Sequence, residues 1–171
     1  NRGALKYTNF DTGIQFSKKF TKIEMSFDYR KLLPNGSQFT ARFFAGKFLK
    51  YNQQESTFFD FNLNRPQDYL FRYNYFGRSE EKGFFSQQIV MAEGGFKSLL
   101  LPATANDYLF TTNLTVGIWK WIEAYLDLGV LRNHKRNPLF FYGSGVRFNV
   151  LPDYLEIFFP FHSNKGWEFS K

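Results

Sequence analysis

The sequence predicts an all-β protein: an antiparallel transmembrane β-barrel, or the C-terminal part of one, with about eight strands in view. Three observations carry this. Apolar and polar residues alternate with a period of two through most of the chain, as in half-buried strands. Aromatic residues make up 22% of the composition, yet the mean hydropathy is −0.40. That pairing is odd for a soluble domain and expected where every second residue meets lipid. Finally, short and long connections fall in an order that suits a barrel with two unlike ends.

Composition removes other classes. The 171 residues suit one domain. With 24 Phe, 10 Tyr and 3 Trp, the chain is too aromatic to be disordered. Having no Cys, it is neither a disulfide scaffold nor a thiolate metal site. That lack is compatible with an oxidising compartment. No apolar run is long enough for a transmembrane helix. The missing initial Met and signal peptide point to a mature product or a fragment.

The elements follow in order. Strands are expected at 8–18, 22–33, 38–50, 57–76, 107–118, 121–132, 140–150 and 154–162, with Pro66 threatening the fourth. Each presents two faces. Ile23, Met25 and Phe27 oppose Glu24, Asp28 and Arg30. Phe110, Leu114 and Val116 oppose Asn113. Ile122, Leu126, Leu128 and Val130 oppose Glu123, Tyr125 and Asp127. Val146 and Phe148 oppose Arg147, while Leu155, Ile157 and Phe159 oppose Glu156, Phe158 and His162. The apolar sets are expected to face lipid, and the polar sets, with Arg42, a lumen.

Short turns near 18–21, 120 and 151–153 are expected on the periplasmic side, together with the connection 51–56. The hairpin signal at 34–37, the basic loop 132–139 and the long loop 77–106 then fall outside. Trp119, Trp121, Tyr125, Tyr142 and Tyr154 suit an aromatic girdle, although aromatics also favour strands in general. The last strand runs outward, and Trp167–Phe169 look like a loop top or the start of a further strand. Exposed sheet edges are costly in lipid, so more strands are expected before residue 1 and after residue 171.

Chemistry is sparse. His134 and His162 lack partners for a metal, and no cofactor is expected. Glu24, Asp28, Glu123, Asp127 and Glu156 share polar faces with Arg30, Arg42 and Arg147. An ion-paired lumen explains them; no spacing marks an acid–base pair or a selectivity ring. The formal charge of +7 raises nucleic acid as a partner, but the cations are scattered and the remaining face is apolar, so none is expected. Arg132, Lys135 and Arg136 form a basic cluster with His134: a solvated loop, or a contact for lipopolysaccharide phosphates.

Several segments are familiar as a set: Phe44-Ala45-Gly46-Lys47-Phe48, Asp68-Tyr69-Leu70-Phe71, Tyr75-Phe76-Gly77-Arg78, Glu93-Gly94-Gly95-Phe96-Lys97 and 153–167. Together the chain resembles the C-terminal barrel region of large Bacteroidota outer-membrane proteins that carry a gluzincin (aminopeptidase-like) metallopeptidase domain upstream. More remotely, it is similar to the end of the outer-membrane insertase superfamily barrel. There a long loop bearing an Arg-Gly-aromatic motif folds into the lumen, and further strands follow. Here Gly95-Phe96-Lys97 is a loose counterpart of that motif, and Asp127-Leu128-Gly129 and Gly143-Ser144-Gly145-Val146-Arg147 sit at matching places. The resemblance implies that Glu93, Gly94, Gly95, Phe96 and Lys97 belong to a lumen loop, and that any peptidase chemistry lies outside these residues.

The resulting expectation is a bacterial outer-membrane barrel that anchors a larger surface or periplasmic assembly. Its partners would be outer-membrane lipid, lipopolysaccharide and further strands of its own chain or of a neighbour. A porin-like or insertase-like transport barrel is the first alternative, and a soluble lipid-binding barrel the second.

Overall fold

The computed structural model describes residues 6–33, 36–52, 60–63, 75–78, 88–90, 95–98, 100–101, 104–151 and 155–168. Seven long strands dominate: β1 (Lys6–Phe16), β2 (Phe20–Leu32), β3 (Gln38–Tyr51), β8 (Tyr108–Gly117), β9 (Ile122–Arg132), β10 (Leu139–Leu151) and β11 (Leu155–Ser163). Among the described residues there are also five short ones: β4 (Phe61–Asn62), β5 (Tyr75–Arg78), β6 (Gln88–Val90), β7 (Thr104–Ala105) and β12 (Gly166–Trp167). All pairings are antiparallel. The main sheet runs β1-β2-β3-β8-β9-β10-β11-β6-β5, with β12 also on β11. It is not closed: β1 and β5 form its two edges.

Each of the seven long strands pairs with a sequence neighbour, and β3 also pairs directly with β8. That pairing corrects the expected strand at 57–76. No place remains for it in the ladder, because Phe39–Lys47 is already matched to Tyr108–Val116. Within that span, Phe61–Asn62 instead joins Thr104–Ala105 in a two-stranded sheet, and Tyr75 opens β5 at the far edge. The rest of the span, 57–59 and 64–74 with Pro66, lies outside the described residues. The long loop expected at 77–106 is also not all loop, since β6 within it pairs with β11.

The ends of the sheet change accordingly. The β3–β8 pairing places Lys19, Asn52, Asp107 and Arg132 together: Asn52 N donates to Lys19 O at 2.7 Å and Asp107 N to Arg132 O at 3.1 Å. The connections 17–19, 133–138 and 164–165 therefore share one end with the start and finish of the 52–107 excursion. The connection after β2 joins the turns 118–121 and 152–154 at the other, where a Cβ on Gly117 would stand 2.5 Å from Ser37. The expected sidedness of the first two connections is thus reversed. Because β3 pairs directly with β8, the parity of everything before residue 52 flips. The 52–107 excursion thus leaves and rejoins the long strands at the end that also holds 133–138, although its β6 pairs with Glu156–Phe158 near the other.

The two faces differ in the opposite sense from a soluble sheet. Phe10 (63% exposed), Phe16 (79%), Met25, Phe43, Phe110, Val116 and Leu126 lie uncovered on the outer face. The inner face carries buried Lys22, Ser26, Thr40, Arg42, Asn113, Glu123, Asp127, Arg147 and Glu156. Part of the 52–107 excursion lies against it: Phe61, Leu63, Phe96, Leu100 and Ala105 pack with Phe20, Phe44, Phe48, Leu109, Leu131 and Phe141 into one core. The core thus exists because the excursion folds back on the sheet.

Candidate functional site

The most organised chemistry lies where the excursion meets the inner face. Period-two alternation in each strand aligns one polar row across the sheet. Asp28 stands opposite Arg42, Arg42 opposite Asn113, Asn113 opposite Asp127, Asp127 opposite Gly143 and Gly143 opposite Ser163. Arg42 Nε lies 3.3 Å from Asp28 Oδ1. Asn113 Nδ2 donates to Asp127 Oδ1 at 2.7 Å. Asp127 is 1% exposed, so these donors replace its lost water.

Lys97 completes the Asp127 site from the excursion. Its backbone N donates to Asp127 Oδ2 at 3.2 Å, and its Nζ reaches Oδ1 at 3.5 Å. The same ammonium stands 4.9 Å from the Phe158 ring centroid and 6.0 Å from that of Tyr125. It therefore meets one carboxylate and two aromatic faces, both attractive to a desolvated cation. Glycine makes the approach possible. A Cβ on Gly129 would come within 2.9 Å of the Phe96 ring, and one on Gly46 within 2.5 Å of the Phe61 ring. Gly143 leaves similar room for Ser98. Tyr51 Oη donates to Asp60 Oδ1 at 2.8 Å, tying down the start of the excursion.

A second cluster lies toward the short-turn end. Arg147 stands opposite Glu123 across β9 and β10. It donates to Glu123 through Nε at 2.9 Å and also through a terminal nitrogen, and its other terminal nitrogen reaches Glu156 Oε1 at 2.7 Å. Gln38 Nε2 donates to Glu123 Oε1 at 3.1 Å. Arg147 has no exposed surface. One guanidinium spanning two carboxylates welds β9, β10 and β11, which is a structural role with no vacant coordination of its own.

The expected faces can now be located. Ile23, Met25, Phe27, Phe110, Leu114, Val116, Ile122, Leu126, Leu128, Val130, Val146, Phe148, Ile157 and Phe159 are all exposed or half-buried; Leu155 begins β11, with its side chain outside the described residues. Glu24, Asp28 and Arg30 are half-buried, and Arg42, Asn113, Glu123, Asp127, Arg147 and Glu156 buried. Of the expected lumen loop, Gly95, Phe96 and Lys97 are buried, while Glu93 and Gly94 lie outside the described residues. Arg132 is half-exposed and pairs with Asp107 at 2.9 Å, whereas Lys135 and Arg136 are exposed.

Three details depart from expectation. Tyr125 is not a girdle residue; it is buried on the inner face, edge-on to Phe158 at 5.3 Å. His162 leaves the inner-face pattern. The β10–β11 register shifts between Ser144 and Gly145, so His162 pairs with Ser144 and stacks on Tyr142 at 5.5 Å. Tyr154 lies outside the described residues. Sequence alternation alone missed Lys22, which is 1% exposed and stands 5.0 Å from the Phe61 ring centroid. Only the inserted excursion brings that ring near it. Among the described residues, no three His, Asp or Glu side chains gather as a metal-binding group.

No protein-family model, curated protein or solved structure matches this chain.

Proposed function

We propose that this chain is a stretch of wall from an outer-membrane β-barrel, with the 52–107 excursion folded inward as a plug, and that the barrel anchors a larger assembly. The observation that carries the reading is the inverted polarity of the sheet. Arg147, Lys22, Asp127 and Glu156 are at most 2% exposed, while Phe10, Ile14, Phe16, Met25 and Phe110 stand uncovered. Water does not favour such a sheet; hydrocarbon on the outer face does. A soluble lipid-binding barrel would need the reverse facing.

Dimensions support this. Phe140 and Val150 of β10 are separated by about 33 Å of strand. At the usual barrel tilt this spans about 25 Å of height, matching the apolar band of outer-membrane barrels. Trp119 (73% exposed) and Trp121 (68%) lie at one end, and Phe140, Tyr142 and Trp167 toward the other, as interfacial aromatics do. The edges at β1 and β5 would then pair with further strands, of the same chain or of a partner. Any peptidase activity would reside in a separate domain. Reconstitution tests the reading: the purified protein should float with phosphatidylcholine vesicles and stay with them through an alkaline wash. Release into the soluble fraction would sink it.

A second reading, an insertase-like transport barrel, draws on one specific contact. Lys97, in the segment resembling the inward-folding loop of that superfamily, rests on Asp127 of the Asp-Leu-Gly segment. Planar-bilayer conductance separates the two readings. A plugged anchor is silent, whereas a transport barrel opens to measurable currents.

A further inference from the structure

We infer that the rim at the long-connection end is a binding site for the phosphate groups of lipid A-type glycolipids in the outer leaflet; this rests on the membrane-barrel reading and names its lipid partner. The basic loop seen in sequence supplies only part of the rim. The fold adds cations from two other places. Lys18 and Lys19 in the β1–β2 turn stand beside Asn52 through the Lys19–Asn52 backbone bond. Lys50 pairs with Thr21 in the same corner. Arg132, Lys135 and Arg136 follow further along the sheet, after Asp107. All but Arg132, which is half-exposed, are exposed.

Among the described residues, balancing acid is scarce there. Asp107 and Arg132 neutralise one another, which leaves Lys18, Lys19, Lys50, Lys135 and Arg136 as the rim cations, and Asp60 and Glu168 are buried. The opposite end carries exposed Lys31 and Lys120, and Lys6 lies over the Tyr29 ring. Among the described residues, the cationic excess is thus at the end where the excursion and the 133–138 loop leave the sheet, and long loops face outward in such barrels. Lipid A places phosphates at that height, and Lys and Arg pair well with phosphate.

The loop cations are also held in place. Asn106 N donates to Asn133 Oδ1 at 2.9 Å, His134 N to Asn106 Oδ1 at 2.7 Å, and Asn133 Nδ2 to Thr104 O at 3.0 Å. This clasp joins the basic loop to the excursion. Lys135 adopts φ 59°, the left-handed region, so the loop closes tightly at that residue. A preorganised cation loses less freedom on binding than a free one.

The test compares the whole protein with two variants, K135Q/R136Q and K18Q/K19Q, mixed with three vesicle types: phosphatidylcholine alone, with added lipid A, and with added phosphatidylglycerol. Flotation with phosphatidylcholine reports membrane insertion; enrichment on lipid A vesicles over the other two reports the rim. The expected result is insertion by all three proteins, lipid A enrichment by the parent, and a loss of about twenty-five-fold in that enrichment for each double variant. Insertion without enrichment would overturn the rim site and leave the barrel reading intact. Equal enrichment on phosphatidylglycerol would overturn the choice of lipid A in favour of any anionic headgroup. Failure to insert anywhere would remove the barrel reading and this proposal with it.

Discussion

Asp127 and Arg147 are the two residues whose removal should be felt most. Asp127 has its charge met by Lys97 and its oxygens held by Asn113 and the Lys97 amide. Asp127→Ala strands a buried ammonium, and breaking such a pair costs about 3–5 kcal/mol. The excursion should then loosen, and limited proteolysis within 95–101 should accelerate relative to the parent. Unchanged cleavage would mean that the apolar packing of Phe61, Phe96 and Leu100 holds the excursion without the charge pair. Arg147→Met leaves Glu123 and Glu156 facing one another without their shared cation. It should lower the unfolding free energy in detergent by an amount in the same range. A loss below about 1 kcal/mol in a urea titration would show the cluster to be solvated rather than buried.

At the scale of the element, strands β2, β3 and β8 to β11 each have one buried face and one exposed or half-buried face. β9 shows both: Leu126 points out and Asp127 points in, one residue apart. Leu126→Arg should cost about 2–4 kcal/mol at mid-bilayer depth and sharply reduce membrane assembly. Thr111→Ser on the neighbouring inner face should assemble normally. Normal assembly of Leu126→Arg would remove lipid from the outer face. Gly129→Leu tests the fit of the excursion, because the Phe96 ring already lies where a Cβ would go. Its expected effect is a faster-digested excursion with the long strands intact, read by the same proteolysis.

For the molecule as a whole, the sheet and the excursion stabilise one another. The inner face without the excursion would leave Phe44, Phe48, Leu109, Leu131 and Phe141 uncovered beside buried charges. On the proposed barrel reading, the protein is therefore expected to be electrically silent in planar bilayers while the excursion is seated. Asp127→Ala should produce intermittent currents. Silence in both proteins would favour a plug held chiefly by its apolar contacts, and steady currents in the parent would favour the transport reading.

Period-two alternation by itself determined the all-β class, seven of the long strands to within a few residues, and the face on which Leu126, Asp127, Glu123 and Arg147 lie. It could do so because a strand's side-chain direction depends only on residue parity. It failed at 57–76, where Phe59, Phe61 and Leu63 alternate like a spanning strand, although Phe61 and Leu63 belong to the inserted core. Which strand neighbours β3 is a long-range choice, and no local pattern encodes it. That choice set which connections share an end, brought Lys97 onto Asp127, and gathered Lys18, Lys19 and Lys50 to the same rim as Lys135. These are contacts between residues far apart in sequence, and only the folded chain brings them within the few ångströms over which hydrogen bonds and ion pairs act.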